Sequence, residues 1–275
     1  MISRVFLVAE SKIGKFLPMV VRRHLRSHRQ FTLGIDPLEM RNLYRVSKIL
    51  EFLGESWSSE EILKYAYSTY SELNQDLIPL ILSRGKGYFV EFGACDGKIA
   101  SNTFLLETDY GWQGLLSEPA KIWHKDLVAN RKSNIDSRAV YKVSNVKLNF
   151  IETHQPSLST LQSVEQTDPH TSNRIDKEIY SVDSVSLLDL LREHQCPKHI
   201  QYMSIDTEGS EIDILENFDF NEFSFTFINV EHNFTDSENR VEMLLTSKGY
   251  DRVLREISGG DAWYINSAFN DNFRY

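Results

Sequence analysis

YFVEFGACDGKIASN, residues 88–102, is the stretch from which the rest of the chain is read. An apolar run from Tyr88 to Phe92 carries an acid, Glu91; Gly93 follows, then Ala94, Cys95 and Asp96, then a second glycine, Gly97. Aromatic and β-branched residues bounded by glycine predict a strand. Glycines at 93 and 97 let the backbone turn tightly and approach a ligand closely. Ser101 and Asn102 are both placed to cap a following helix. In an open parallel sheet, ligands sit outside the carboxyl ends of the strands, at the point where the strand order reverses. The loop after residue 92 is therefore a candidate binding loop.

Outward from this loop the pattern alternates. SNTFLLETDY reads as a helix, GLLSEP as a strand, KIWHKDLVANR as a helix, and AVYKVS and KLNFIE as strands. Residues 153–178 are polar and predict irregular structure. SVDSVSLLDLLREH starts a helix, with Ser186 and Asp189 in capping-box-like spacing. QYMSID and FSFTFINVEHN are strands, each followed by a helix, SEIDILENF and SENRVEMLLTSKG. YDRVLREI and AWYIN, parted by Gly259 and Gly260, read as a closing hairpin. Strand–helix alternation with a terminal hairpin predicts a mostly parallel sheet covered on both faces. Upstream, residues 36–83 read as helices, with Ser59 a cap before Glu60 and Glu61. No internal repeat or low-complexity linker interrupts the chain.

The 275 residues suit one large domain with an N-terminal extension, and 41% hydrophobic residues suffice for a core. No run of 18 apolar residues predicts a membrane span. Two cysteines far apart, Cys95 and Cys196, argue against a disulfide scaffold and for a reducing, cytoplasmic setting. Residues 1–34 carry seven Lys or Arg against Glu10 alone, a charge of +6; against a whole-chain net charge of −9, that leaves −15 on the remainder. An acidic body disfavours nucleic acid as a partner. Within the basic segment, Ile2, Val5, Phe6, Ala9, Ile13, Phe16, Leu17 and Val20 recur at helical spacing, interrupted by Pro18. Such a helix can dock on the domain, form a contact in a homo-oligomer, or lie on an anionic membrane.

The acids choose between ligands. Glu118 ends the second strand of the glycine-loop unit, 25 residues after Gly93, where a carboxylate can accept hydrogen bonds from both ribose hydroxyls. A dinucleotide fold needs a G-x-G-x-x-G loop with pyrophosphate on the helix N-terminus. Here position 95 is Cys, no third glycine follows, and Asp96 would face the pyrophosphate. S-adenosylmethionine has no phosphate, and its sulfonium and ammonium both attract carboxylates. Glu91, on the first strand, is suited to the ammonium end. An ordinary tight turn with solvated acids is the plain alternative.

In combination, FVEFGACDG followed by SNT, GWQGLLSEP, VSLLDLL, YMSIDTEGSEIDIL and INVEHN resemble the signatures of the FkbM-type methyltransferases, and NQDL at 74–77 resembles the stretch before their first strand. The resemblance spans residues 74–266 and leaves residues 1–73 outside, as an N-terminal basic and helical extension to a domain over 74–275. It implies a class I methyltransferase fold: a Rossmann-like sheet of strand order 3-2-1-4-5-7-6, strand 7 antiparallel, with helices on both faces. It also implies methyl transfer to oxygen, on a hydroxyl of a sugar, glycan or natural product. The donor-loop residues are then Glu91, Gly93, Ala94, Asp96, Gly97 and Asn102, with Glu118 and Pro119 beneath the ribose. The loop departs from many class I enzymes in reading G-A-C-D-G rather than G-x-G-x-G.

On the acceptor side, a sugar hydroxyl has a pKa of roughly 15, near that of water. A base must therefore take the proton as the C–O bond forms, or a metal must lower that pKa. Candidates follow two strands that the resemblance makes neighbours: Asp206 and Glu208 after QYMSI, and Glu231 and His232 after FTFINV. His232 is the expected base. Asp206, Glu231 and His232 also form a set able to hold Mg²⁺ or Mn²⁺, although their spacing is not a strict metal motif. His170 and Arg174 belong to a polar loop able to reach over an acceptor. Trp112 and Trp123 read as packing residues, and Cys95 as a small loop residue rather than a nucleophile. Two other functions fit a nucleotide-type site on such a fold: a NAD-linked sugar-modifying oxidoreductase, and a non-catalytic binding module.

Overall fold

The computed structural model describes residues 37–54, 59–83, 85–165, 169–174 and 176–270. The expectations for the basic segment 1–34 lie outside the described residues. The chain divides into two units, Met1–Thr69 with Tyr275, and Tyr70–Arg274. In the first, helices α1 (Pro37–Phe52) and α2 (Ser59–Ser68) pack on each other. Leu43, Val46, Ile49 and Leu50 recur at helical spacing and are buried, which is why this segment of α1 is a helix with one apolar stripe. Among the described residues no helix is long and apolar enough to cross a membrane.

The second unit opens with helix α3 (Leu77–Ser83) and strand β1 (Tyr88–Phe92). Helix α4 (Phe104–Thr108) leads to β2 (Gln113–Ser117); a 3₁₀ turn at Lys121–Trp123 and helix α5 (His124–Asn130) lead to β3 (Asn134–Asp136). Strands β4 (Ala139–Tyr141), β5 (Lys147–Glu152), β6 (Thr160–Leu161) and β7 (Glu178–Ser186) come next. Then helix α6 (Leu187–Glu193), β8 (His199–Ile205), α7 (Glu211–Glu216), β9 (Ser224–Glu231) and α8 (Ser237–Ser247) alternate. The unit ends with β10 (Tyr250–Val253), β11 (Asp261–Asn266) and the short helix α9 (Ser267–Asn270).

Seven strands form one sheet in the order β10-β11-β9-β8-β1-β2-β3. From β9 to β3 every pair is parallel, and β11 is antiparallel to both its neighbours. Numbered within this sheet alone and read from the other edge, the order is 3-2-1-4-5-7-6 with the seventh strand antiparallel. The central strands are apolar on both sides, as a covered parallel sheet requires. Val90, Phe92, Met203, Ile205, Ile228 and Val230 share one core with α6, α7 and α8. The alternate residues Phe89, Tyr202 and Phe227 point to the opposite face, where α3 lies on β8 and β9.

A second sheet differs from the sequence reading. Its order is β4-β7-β5-β6, and it packs Tyr141, Phe150, Leu161 and Val182 against Ala120 and Trp123. β7 covers Glu178–Ser186, a stretch expected to be partly irregular and partly the start of a helix. The third strand of the large sheet is Asn134–Asp136, and Ala139–Tyr141 belongs to the second sheet instead. Ser186 caps α6 as expected, its Oγ accepting from the Asp189 N–H at 3.1 Å.

Gly93 shows how tightly the centre of the large sheet closes. It has φ +77°, and a Cβ there would stand 1.7 Å from the main-chain oxygen of Asp206. Gly111 has a similar φ of +67° with no atom within 4 Å of the same point. Gly111→Ala is therefore expected to cost about 1–2 kcal/mol, the left-handed penalty alone. Gly93→Ala adds a backbone collision and is expected to cost more than about 4 kcal/mol, or to give no folded protein. Equal costs in urea unfolding would show that the β1–β8 junction has room to relax.

Candidate active site

A cavity of about 640 Å³ opens at the carboxyl ends of β1, β2, β8 and β9. Glu91, Gly93, Ala94, Asp96, Asn102, Glu118 and Pro119 line one side, and Asp206, Glu208 and Glu231 the other. Gly97 and His232 do not line it. The residues expected from sequence to bind the donor and those expected to act on the acceptor thus share one space, with two exceptions.

Glu118 is buried beneath the loop. Its Oε2 accepts from the Cys95 N–H at 2.8 Å and its Oε1 from the Ala120 N–H at 2.7 Å. Each oxygen keeps a further lone pair for a ligand hydroxyl. Burial pushes this carboxyl up to about 7, and the two backbone N–H groups oppose the shift. Asp96 shapes the turn, its Oδ1 accepting from the N–H groups of Lys98 and Ile99 at 2.9 and 2.8 Å. Cys95 is a neutral thiol, raised by burial and by the carboxylates around it.

Glu91 differs from its expected use. Its carboxylate accepts from the Asn102 N–H at 2.7 Å, the Thr103 hydroxyl at 2.5 Å and the Ser101 hydroxyl at 3.0 Å. These bonds tie the end of the loop to β1, so Glu91 serves the loop rather than standing open for an ammonium. Gly93 differs too: the group that comes close to its α-carbon is the Asp206 carbonyl, not a ligand. Gly97, with φ +75°, leaves space for the stem of Arg131, whose Cγ would lie 2.6 Å from a Cβ.

On the other wall, ligand atoms of Asp206, Glu208 and Glu231 lie within 4.8 Å of one another. Burial raises Asp206 and Glu231, and each carboxyl lies close enough to shift the other. Glu208, at φ +57°, meets Arg174 Nη2 at 3.0 Å in a buried ion pair. Arg174 also donates to the carbonyls of Leu158 and Glu165 at 2.7 and 3.1 Å, and Thr160 Oγ1 donates to the Glu208 carbonyl at 2.6 Å. The described part of the polar loop is therefore tied to the acid cluster, and its His170 lines the cavity. Glu211 closes its own turn, accepting from the N–H groups of Thr207 and Gly209 at 2.8 and 3.1 Å.

His232, the expected base and a member of the expected metal set, does not line the main cavity. Neighbouring residues at a strand end face opposite sides. Glu231 lines the main cavity and also a second one of about 300 Å³ between the β8–α7 and β9–α8 loops, whereas His232 lines only the second. Its Nδ1 accepts from the Phe234 N–H at 3.0 Å, and burial lowers the ring's pKa. The acids that converge are Asp206, Glu208 and Glu231, without the histidine.

The sequence reading missed two acids, Glu72 and Asp261, and the aromatic Trp123 as lining residues. Trp112 packs, donating from Nε1 to the Gly85 carbonyl at 2.7 Å. Asp261 begins β11, a strand placed from sequence, and only its pairing with Glu231 across the sheet brings it to the cavity. Its Oδ2 accepts from Gln75 Nε2 at 3.3 Å, and burial pushes it up to about 7 from an ordinary 3.8.

This gives a pH-dependent stability with a defined sign. Asp261 is protonated below about pH 7 when folded, but only below its ordinary 3.8 when unfolded. Folding takes up a proton between those values, so this group's contribution falls as pH rises through the window and levels off above it. Asp261→Asn removes the contribution. Its unfolding free energy relative to the wild type is expected to rise by about 1–3 kcal/mol between pH 5 and pH 8, at about 1.4 kcal/mol per pH unit. A difference that stays flat in urea titrations would show Asp261 to be ionised throughout.

Comparison with known proteins follows from this geometry. The sequence profile described as the methyltransferase FkbM domain matches residues 91–252, from β1 to β10. No curated protein matches the chain. Among solved structures, a crystal structure of a mutant of MtNAS is 12% identical, with a TM-score of 0.35 over 88% of this chain and 80% of that one. MtNAS in complex with MTA and tNA is 13% identical, with a TM-score of 0.33 over 91% and 81%. The profile covers more than half of the chain, and this protein belongs to the FkbM methyltransferase family.

Proposed function

We propose that the protein is an S-adenosylmethionine-dependent O-methyltransferase acting on a hydroxyl of a sugar, glycan or natural product. One observation carries the choice of donor. The cavity is lined by the acidic residues Glu72, Glu91, Asp96, Glu118, Asp206, Glu208, Glu231 and Asp261, with no Lys or Arg among the described lining residues; Glu91 and Glu208 are already paired with Arg131 and Arg174, so the excess of acid falls to the others. Such walls attract a sulfonium and an ammonium and repel a pyrophosphate. This disfavours a NAD-linked oxidoreductase, and the same argument disfavours nucleotide sugars and phosphorylated acceptors. The donor supplies an electrophilic methyl group on a cationic sulfur.

The chain's own groups supply the rest. Glu118 accepts the ribose hydroxyls with the lone pairs that Cys95 and Ala120 leave. The Asp206–Glu231 pair takes the acceptor's proton as its oxygen bonds to the methyl carbon. A carboxyl raised by burial is a better match to this task near neutral pH than an ordinary one, provided it is deprotonated. The rate is therefore expected to rise with pH through the pair's titration. A second reading, a divalent cation held by Asp206, Glu208 and Glu231, is favoured by the 4.8 Å spacing of their ligand atoms.

Calorimetry tests the donor: S-adenosylhomocysteine should bind and NAD should not. Binding of NAD alone would replace this reading. Glu118→Ala should lose about 1.5–3 kcal/mol of S-adenosylhomocysteine affinity, the worth of hydrogen bonds to a charged group. Turnover of labelled donor with neutral sugars and polyketide alcohols tests the chemistry. Asp206→Asn should lower that rate by roughly 10²–10⁴-fold with S-adenosylhomocysteine binding kept. Near-normal turnover in this variant would remove the base assignment. Loss of turnover with EDTA, restored by Mg²⁺ or Mn²⁺, would select the cation reading; turnover indifferent to EDTA would remove it.

A further inference from the structure

Arg131 stands outside the cavity, and no role in the proposed reaction has been given to it so far. It follows the last residue of α5, and its side chain has no solvent exposure. Nε donates to Glu107 Oε2 at 3.0 Å. Nη1 donates to the Gly97 carbonyl at 3.0 Å and the Ser101 hydroxyl at 3.2 Å, and lies 3.4 Å from Glu91 Oε2. Nη2 donates to the Thr103 hydroxyl at 2.8 Å. The guanidinium also lies 5.3 Å from the centre of the Phe89 ring, on β1.

These bonds reach both ends of the segment 97–103. Ile99, Ser101 and Asn102 in that segment line the cavity, so its inner side is wall and its outer side rests on one buried cation. A planar guanidinium has five N–H donors in a fixed fork, and here three of its bonds fall on the segment itself while two more fall on Glu91 and Glu107. Glu91 holds the same segment from the strand side through Asn102 and Thr103. The segment is thus pinned between an acid and a base, both buried. The lack of a side chain at Gly97 is what admits the arginine stem.

We propose that Arg131 is a positioning residue for the donor loop: it fixes residues 97–103 in the donor-binding shape from behind, and so sets donor affinity without touching the donor. The proposal rests on the S-adenosylmethionine reading of the cavity. Lysine at this position keeps the charge but offers a single nitrogen, which cannot reach acceptors on both ends of the segment. Methionine fills the space and removes the charge.

The experiment measures S-adenosylhomocysteine affinity by calorimetry, together with amide hydrogen exchange, for the wild type, Arg131→Lys and Arg131→Met. The expected result is affinity at least tenfold weaker in Arg131→Met and intermediate in Arg131→Lys. Faster exchange should be confined to residues 97–104 and be restored by saturating S-adenosylhomocysteine. A folded Arg131→Met protein with wild-type affinity overturns the proposal. So does faster exchange throughout the sheet, which marks a general structural role. If Arg131→Met does not fold, Arg131→Lys and Thr103→Val decide by the same two readouts. A wild-type protein that binds no S-adenosylhomocysteine overturns the donor reading and this proposal with it; binding by the wild type with no change in the variants overturns this proposal alone.

Discussion

Of the glycines whose surroundings are described, Gly93 leaves the least room for a side chain, and it stands between two strand ends. Phe92 and Ile205 are paired residues of β1 and β8, and the Asp206 N–H donates to the Phe92 carbonyl at 3.1 Å. One residue further on, the two chains must part, and Gly93 does so with its α-carbon against the Asp206 carbonyl. The Gly93 N–H meanwhile reaches the other way, to the Ser117 carbonyl on β2 at 3.1 Å. Three strands are thereby held at a common level, and each releases an acid or a loop at that level: Asp206 from β8, Glu118 from β2, and the glycine loop from β1. A side chain at 93 would separate β1 from β8 and move the two walls of the cavity apart. The crevice at the strand-order reversal is a general property of such sheets; its narrowness here is a property of this glycine.

The second constraint is charge. Carboxyls taken out of water must be paired, hydrogen-bonded or protonated. Glu91 has hydroxyls, a backbone N–H and Arg131; Glu208 has Arg174. Glu118 has two backbone N–H groups, and burial still raises it to about 7. Asp206, Glu231 and Asp261 also sit above their ordinary values because of burial. Glu91 and Glu208, which hold loops in place, thus have cations of the protein's own. Among the described residues Glu118, Asp206, Glu231 and Asp261 have no cation paired to them in this way, and a cationic ligand would lower their pKa values and release protons on binding. That division separates the structural carboxylates of this site from those open to a ligand, and sequence alone cannot make it, because both kinds are equally acidic.

The large sheet, apart from its edge strand β3, was legible because its signals are local. The central strands β1, β2, β8 and β9 are short apolar runs with glycine or a polar turn beside them, and the helix after β7 carries its own cap, Ser186. β7 was not legible for the opposite reason. EIYSVDSVS offers three serines and two acids, which read partly as loop and partly as the approach to a helix, yet its backbone pairs with β5 over six residues and with β4 over three. Those partners are distant in sequence, and tertiary pairing overrides a weak local preference. Arg131 was hidden similarly: the acceptors of its side chain lie 24 to 40 residues away. Its only local sign was a basic residue at a helix end, which is commonplace.

The end of β9 shows how far a single residue's parity reaches. Glu231 and His232 are adjacent, and the sequence reading favoured His232 as the base. The strand continues regularly to Glu231, which pairs with Asp261. Beyond it the N–H groups of His232 and Asn233 both donate to the Gly260 carbonyl, at 2.9 and 3.0 Å, and Asn233 and Phe234 take positive φ values of +46° and +57°. The chain thus breaks its alternation only after the parity has been set. Glu231 stays on the side of Asp206, and His232 is turned toward α8, where its Nδ1 lies 3.8 Å from Glu238. A base must come within hydrogen-bond reach of the proton it takes. Geometry therefore ranks the acid pair above the histidine, even though an unperturbed imidazole has the more convenient pKa. Burial raises Asp206 and Glu231 and lowers the ring, and so narrows the difference between them.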